Sequence, residues 1–251
     1  MTDTIERFSN RVANYVKYRP GYPPEVIPYL EYKCGLTHNK VIADIGCGTG
    51  ISSELFLANC NPVFGVEPNA AMRAAAVEYL VQFPDFTPVH GTSEATGLPD
   101  ASVDLVVAAQ AFHWFDAEKT RPEFHRILNP GGHIVLIWNE RQVDTTPFLI
   151  EYEAFLTKHA NDYGAVRHEN IEDDHLNRFF QKPFGTATFQ NRQIFDFEGL
   201  KGRMLSASYM PHETAEGYKA MVEELELLFA KHAENGRIRV LYDTNVYTCQ
   251  V

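Results

Sequence analysis

Three glycines at alternate positions, Gly46, Gly48 and Gly50, begin two residues after an acid, Asp44. A second acid, Glu67, closes the next apolar run, Val-Phe-Gly-Val. Glycines in this pattern let a backbone approach a ligand and take angles that other residues resist. An acid at the second strand tip is placed to accept hydrogen bonds from ribose hydroxyls. The chemistry implied is the holding of a nucleotide-like ligand. Turning alone would explain one glycine, but not three flanked by Asp44 and followed by Glu67. Further along, His113 could take up a proton near pH 7 in its neutral form. Arg19 and Arg141 could each grip a carboxylate through two bonds. Cys47 lies inside the glycine stretch, where a small side chain is needed; a reactive thiol is the other reading.

These residues need elements to hold them. Residues 41–45 read as a buried strand and 52–59 as a helix, so the glycines sit in a strand-to-helix turn. Strands are also expected over 63–66, 87–90, 103–109 and 133–138. Helices are expected over 24–32, 70–82 and 120–128. The last opens on a capping box, Thr120 with Glu123, and carries Pro122 in its first turn. Asn129-Pro130-Gly131-Gly132 ends it. Apolar strands separated by helices imply a parallel sheet covered on both faces. Ligands of such sheets bind beyond the carboxyl ends of the strands. That rule selects Asp44 to Gly50, Glu67 to Asn69, Thr92 to Glu94, Gln110 to Phe115 and Asn139 to Arg141. In the last hundred residues a helix is expected over 147–159, a polar loop over 161–174, a strand over 186–197, a long helix over 214–234 and a final strand over 237–251 that joins the sheet edge.

The chain has 251 residues, 45% of them hydrophobic, enough for one large core. With 33 acids against 22 Lys plus Arg the formal net charge is -11, which argues against a duplex nucleic-acid binder. The four cysteines show no metal-ligand spacing, and reduced thiols in a cytoplasmic protein are the simplest expectation. The first ten residues do not read as a signal peptide, and no apolar run reaches the ~20 residues of a membrane span. One domain is expected over 1–251: a cap over 1–37, a ligand-binding core over 38–145 and an elaboration over 146–251.

Two ligands suit the loop: a dinucleotide such as NAD, or S-adenosylmethionine (SAM). The dinucleotide fingerprint is G-x-G-x-x-G, whereas this loop is G-x-G-x-G. No Lys or Arg lies between Lys40 and Arg73 to face phosphates. Asp44-Ile45-Gly46-Cys47-Gly48-Thr49-Gly50 resembles the first motif of class I SAM-dependent methyltransferases. Gly65-Val66-Glu67-Pro68-Asn69 resembles their acidic second motif. Gly91-Thr92-Ser93-Glu94 with Leu98-Pro99 and Ser102-Val103-Asp104 resembles their third. Leu128-Asn129-Pro130-Gly131-Gly132 resembles the stretch before their fifth strand. Arg19-Pro20-Gly21-Tyr22-Pro23, Ala111-Phe112-His113-Trp114-Phe115 and Trp138-Asn139-Glu140-Arg141 resemble the small-molecule subgroup called type 11, some members of which are similar to trans-aconitate methyltransferase. The resemblance covers residues 8–155.

The resemblance implies a Rossmann-like, doubly wound, mostly parallel seven-stranded α/β sheet with an antiparallel C-terminal edge strand and helical elaborations. It implies that Gly46, Cys47, Gly48, Thr49 and Gly50 line the methionine and ribose parts of SAM, with Asp44 reaching toward the amino group. Glu67 would bind the ribose hydroxyls, with Pro68 and Asn69 beside it, and Met72 would pack on the adenine. Ser93 would meet the adenine edge. Family members often carry an acid just before that position; Thr92 stands there instead, with Thr92 or Glu94 as the substitutes. Gln110 and Ala111 would lie near the methionine, and Tyr18 and Arg19 would close over the site. Tyr15, Tyr22, Trp114, Asn139 and Arg141 are candidates for the acceptor pocket. His113 is the candidate catalytic base, or else a wall of the cofactor pocket.

The function expected is methyl transfer from SAM, leaving S-adenosylhomocysteine (SAH), to an oxygen, less readily a nitrogen or carbon, of a small molecule such as a carboxylic acid. The rivals are an NAD-dependent oxidoreductase and a SAM-binding regulatory protein without turnover. No metal, nucleic acid or membrane partner is expected, and the chain is expected as a monomer or homodimer.

Overall fold

A computed structural model describes residues 17–160, 173–207 and 209–251. Tyr15 and most of the polar stretch over 161–174 lie outside the described residues. The run Ile42–Ile45, apolar but for Asp44, forms β1, every residue of it buried. It must be apolar on both sides because β2 (Val63–Val66) and β4 (Val103–Ala109) flank it in parallel, and helices cover both faces. The order continues outward through β3 (Phe86–Val89) on one side and β5 (Leu128–Arg141) on the other. β6 (Gly185–Phe195) and β7 (Ile238–Gln250) complete a seven-stranded sheet ordered β3-β2-β1-β4-β5-β7-β6.

β7 runs antiparallel to β5, as expected of the C-terminal strand. It lies one place in from the margin, however, because β6 pairs along its whole outer side, from Gly185 with Thr248 to Phe195 with Ile238. β6 alternates half-buried and exposed residues down to its last position, the pattern of a strand with one side open.

Successive residues of the central strands point into two different cores. Ile42, Leu105, Val107, Val135 and Ile137 pack with Leu30 of α1 (Val26–Cys34) and Phe56 of α2 (Ile51–Ala58). Ala43, Ile45, Val106, Leu136 and Trp138 pack with Phe124 and Ile127 of α4 (Ala117–Ile127) and Phe179 of α6 (Asp173–Phe180). α3 (Ala70–Tyr79) buries Met72 and Ala76. A third core joins α5 (Pro147–His159), α7 (Phe197–Leu205) and α8 (Tyr218–His232) to the first half of β7. No helix of the described residues is long and apolar enough to cross a membrane.

The expected capping box is not formed. α4 starts earlier, where Asp116 accepts from the Lys119 amide at 3.3 Å. Thr120 lies inside the helix and donates to Ser93 Oγ at 3.0 Å. Glu123 is drawn off by Thr96, accepting from its amide at 2.8 Å and its hydroxyl at 2.6 Å, and by Arg126. Pro122 therefore sits past the first turn, where it cannot donate to the carbonyl four residues back. Helices α6 and α7 were not anticipated from the sequence.

Candidate functional site

The carboxyl ends of β1, β2, β4 and β5 share one edge, and the residues expected to act together meet there. Beyond β1 the chain turns through Gly46, Gly48 and Gly50, all with positive φ (70°, 57° and 89°), into α2. A Cβ on Gly46 would stand 2.8 Å from Ala111 Cβ, and one on Gly50 2.7 Å from Leu80 Cδ1. These two glycines let the loop press against its neighbours. Gly48 differs: a Cβ there would find only Met72 Sδ, at 4.0 Å. Its α-carbon faces open space, while its backbone angles suit glycine.

Glu67, 7% exposed at the end of β2, holds this loop from the side. Its carboxylate accepts from the Gly48 amide at 3.0 Å and the Asn69 amide at 2.8 Å. Burial pushes its pKa up, opposed by those two amides and by Arg73. Arg73 also donates to the Glu67 carbonyl at 2.7 Å. Asn69 caps α3 by accepting from the amides of Ala71 and Met72, which seats Met72 below Gly48. Pro68 lies between these two clamps.

Asp44 is wholly buried. Its Oδ2 accepts from Ser52 and Ser53 at 2.6 and 2.7 Å, while Oδ1 has no hydrogen-bond partner among the described residues. Burial lifts its pKa from 3.8 to about 6 against the pull of the two hydroxyls. The two serines open α2 and were missed in the sequence, although their place straight after the glycines was a signal. Burial also raises the Cys47 thiol well above its usual range, with Asp44 and Glu67 adding to the shift; it is no thiolate nucleophile. Thr49 is buried as well.

At the tip of β4, Gln110 takes a positive φ of 55° and donates from Nε2 to the Asn139 carbonyl at 2.8 Å. Ala111 packs on Gly46, and a short 3-10 turn, Phe112–Trp114, follows. The His113 ring centroid lies 4.6 Å from that of Trp114, which is 43% exposed. At the tip of β3, the Thr92 amide bonds the Ala95 carbonyl and Ser93 is buried. Glu94 resists its partial burial: hydrogen bonds from Thr92, Ser93 and the Asp116 amide keep its pKa below the usual carboxylate range.

The acceptor candidates divide. Asn139 is a hub: it donates to the Gly21 carbonyl at 3.1 Å and accepts from Asn191 at 3.1 Å and Thr244 at 2.5 Å. It thereby fastens the chain before Tyr22 to the sheet. Arg141 pairs with Glu153 and lies 5.3 Å from the centroid of the Tyr152 ring. Tyr18 and Arg19 are anchored by the C-terminal elements. Gln193 donates to the Tyr18 carbonyl at 3.0 Å, and Arg19 donates to the Ser206 carbonyl at 3.0 Å.

The residues present fit a nucleoside bearing an amino-acid tail. The unpartnered Asp44 Oδ1 suits an ammonium, the open face of Gly48 leaves room for a ligand against the backbone, and Glu67 keeps lone pairs for hydroxyl donors. No group of His, Cys, Asp and Glu among the described residues could hold a metal ion.

A methyltransferase-domain family profile matches residues 43–136, which hold most of this site. An uncharacterized methyltransferase-like protein of Schizosaccharomyces pombe is 25% identical over 98% of this chain and 96% of its own length. An uncharacterized methyltransferase of Mycobacterium tuberculosis is 36% identical over 53% of this chain, and the match spans about half of that relative, 52%. Among solved structures, one described as a type II methyltransferase from Anaeromyxobacter dehalogenans superposes with a TM-score of 0.69 at 21% identity, covering 93% of this chain and 98% of that one.

Proposed function

We propose that this chain, a class I SAM-dependent methyltransferase, transfers a methyl group to an oxygen atom of a small carboxylic acid. One observation carries the cofactor part of this reading: Glu67 pins the Gly48 amide while the Gly48 α-carbon stays open to a ligand. Bound SAM supplies an electrophilic methyl group on a sulfonium, which leaves alignment and exclusion of water to the protein. In this reading Asp44 Oδ1 accepts from the ammonium and Glu67 accepts from the ribose hydroxyls. Met72 and Ser93 border the adenine, and Glu94, held ionised by its Thr92 and Ser93 bonds, faces the adenine amino group. Gln110 and Ala111 lie beside the methionine chain.

The acceptor part rests on Arg141, which closes β5, and on chemistry. A carboxylate is already ionised near pH 7, so its methylation needs no general base. His113 then lines the pocket and serves as a base only toward an acceptor that arrives protonated. The net charge of -11 speaks for a small-molecule acceptor over nucleic acid, and four free cysteines suit a cytoplasmic setting.

Calorimetry with SAM, SAH and NADH tests the cofactor. Micromolar binding of SAM and SAH without NADH supports the reading; binding of NADH alone overturns it in favour of an oxidoreductase. Release of SAH with a carboxylic-acid panel then tests the acceptor. Tight SAM binding without SAH release from any acid, phenol or amine would identify a regulatory SAM binder.

A further inference from the structure

Arg203 was not singled out in the sequence, and no part of the cofactor site uses it. Its Nε donates to the Tyr242 hydroxyl at 3.1 Å, and its Cζ lies 6.0 Å from the Tyr242 ring centroid. Tyr152 and Tyr209 stand close enough to act on its charge. Tyr152 and Tyr242 are themselves buried. Yet among the described residues no carboxylate pairs with Arg203 and neither of its Nη groups has a hydrogen-bond partner. Three other partly buried cations have found acids: Arg126 pairs with Glu123, Arg141 with Glu153 and Lys40 with Asp104. A guanidinium withdrawn from water without a counter-ion is costly. Arg203 keeps partial exposure, so an anion can reach it.

Arg203 stands beside the tip of β5, which carries the acceptor candidates Asn139 and Arg141. Tyr242 lies opposite Arg141 in the β5–β7 register, and both Arg141 and Arg203 act on Tyr152. Two residues before Arg141 is Asn139, whose carbonyl Gln110 holds at the cofactor floor. The guanidinium is also aimed. Tyr242 accepts from Arg203 and donates to Gln193 Oε1 at 2.8 Å, and Gln193 Nε2 donates to the Tyr18 carbonyl.

We infer that Arg203 is the anion-binding residue of the acceptor pocket, its two Nη groups gripping a carboxylate of the methyl acceptor in the planar fork that guanidinium and carboxylate share. This rests on reading the site as a methyltransferase's. Arg141, whose charge Glu153 meets, is then a wall of the pocket and not its clamp. A carboxylate held by a guanidinium is a weakened nucleophile, so the anchored group is not the one methylated; the acceptor carries its reacting oxygen elsewhere.

Calorimetry on the full chain saturated with SAH tests this, with succinate, dimethyl succinate and inorganic phosphate as probes. Succinate should bind the wild type, and the ester about tenfold more weakly or not at all. Arg203→Gln should bind succinate about tenfold more weakly with SAH affinity within about twofold of wild type. Tyr242→Phe, which frees the guanidinium without removing it, should show a smaller loss, and decides the matter if Arg203→Gln does not fold. Succinate affinity unchanged in both variants, absent in the wild type, or weaker than that of phosphate overturns the assignment. If SAH itself fails to bind while succinate binding still depends on Arg203, the anion site stands and the methyltransferase reading falls.

Discussion

Glu67 and Gly48 are joined by one hydrogen bond, carboxylate to amide at 3.0 Å, across the turn between β1 and α2. The same carboxylate holds the Asn69 amide at 2.8 Å, so one side chain locks the glycine loop to the start of α3. Hydrogen bonds to a charged group are worth about 1.5–3 kcal/mol. Glu67→Gln keeps the shape but turns one acceptor oxygen into a donor, facing an amide that also donates. SAH affinity should fall by about 10- to 100-fold, the factor that such an energy corresponds to. Titration of SAH into the variant checks this; unaltered affinity removes Glu67 from the ribose role.

The glycines should separate binding from folding. Gly48→Ala meets open space and is strained only by its φ of 57°, a cost of about 1–2 kcal/mol. Gly50→Ala carries the same kind of strain and also drives a methyl group to 2.7 Å from Leu80, where overpacking adds about 1–3 kcal/mol. Denaturant unfolding should therefore show Gly50→Ala as the less stable variant. SAH titration should show Gly48→Ala as the poorer binder, because its new methyl group occupies the ligand's side of the loop. Equal SAH affinity in wild type and Gly48→Ala would mean that no ligand lies over this residue.

Asp44 links stability to pH in a stated direction. Its pKa rises from 3.8 to about 6 in the folded chain, so folding favours its neutral form. The stability this contributes is fully present below pH 3.8 and is lost as pH rises through about 6. The difference between the two values corresponds to about 3 kcal/mol. Ammonium binding needs the charged form, so SAH affinity should climb through the same window and level off above it. Asp44→Asn should flatten both curves, read by urea unfolding and calorimetry from pH 4 to 8. A wild type and variant that change in parallel would place the titrating group elsewhere.

Much of this was legible because it is local. The run before Gly46, the glycines themselves and the acid closing the next run each carry their signal in a few neighbouring residues, even though their contacts come from farther off: Glu67 reaches Gly48, nineteen residues away. The capping box of Thr120 and Glu123 was misread because the partners come from elsewhere in the chain: Thr96 takes the glutamate, and Thr120 bonds Ser93. α7 was hidden by its own glycines. Gly202 is required there, since a Cβ would lie 2.1 Å from the Tyr18 ring, yet two glycines in nine residues weaken any helical pattern. Arg203 was hidden with it, and its partner Tyr242 belongs to another element. α6 carries a readable spacing, Leu176, Phe179 and Phe180, but in a segment only eight residues long.

His113 is where the acceptor's chemistry can be read out. It sits one residue into the 3-10 turn beyond β4, its ring against Trp114. A base is needed only when the acceptor arrives protonated, and a carboxylic acid with a pKa near 4 is ionised throughout pH 6–9. With such an acceptor His113→Gln should keep SAH affinity, hold turnover within about threefold of wild type and leave the pH profile flat, since proton transfer contributes nothing to remove. With a phenol the same variant should lose about 100-fold or more, the usual worth of a positioned base. Initial rates of SAH release for both acceptor types across that pH range make the comparison. A loss of that size on the carboxylic acid, titrating as one ionisation, would make His113 a catalytic base for this acceptor and would mean that the reacting oxygen carries a proton when it binds.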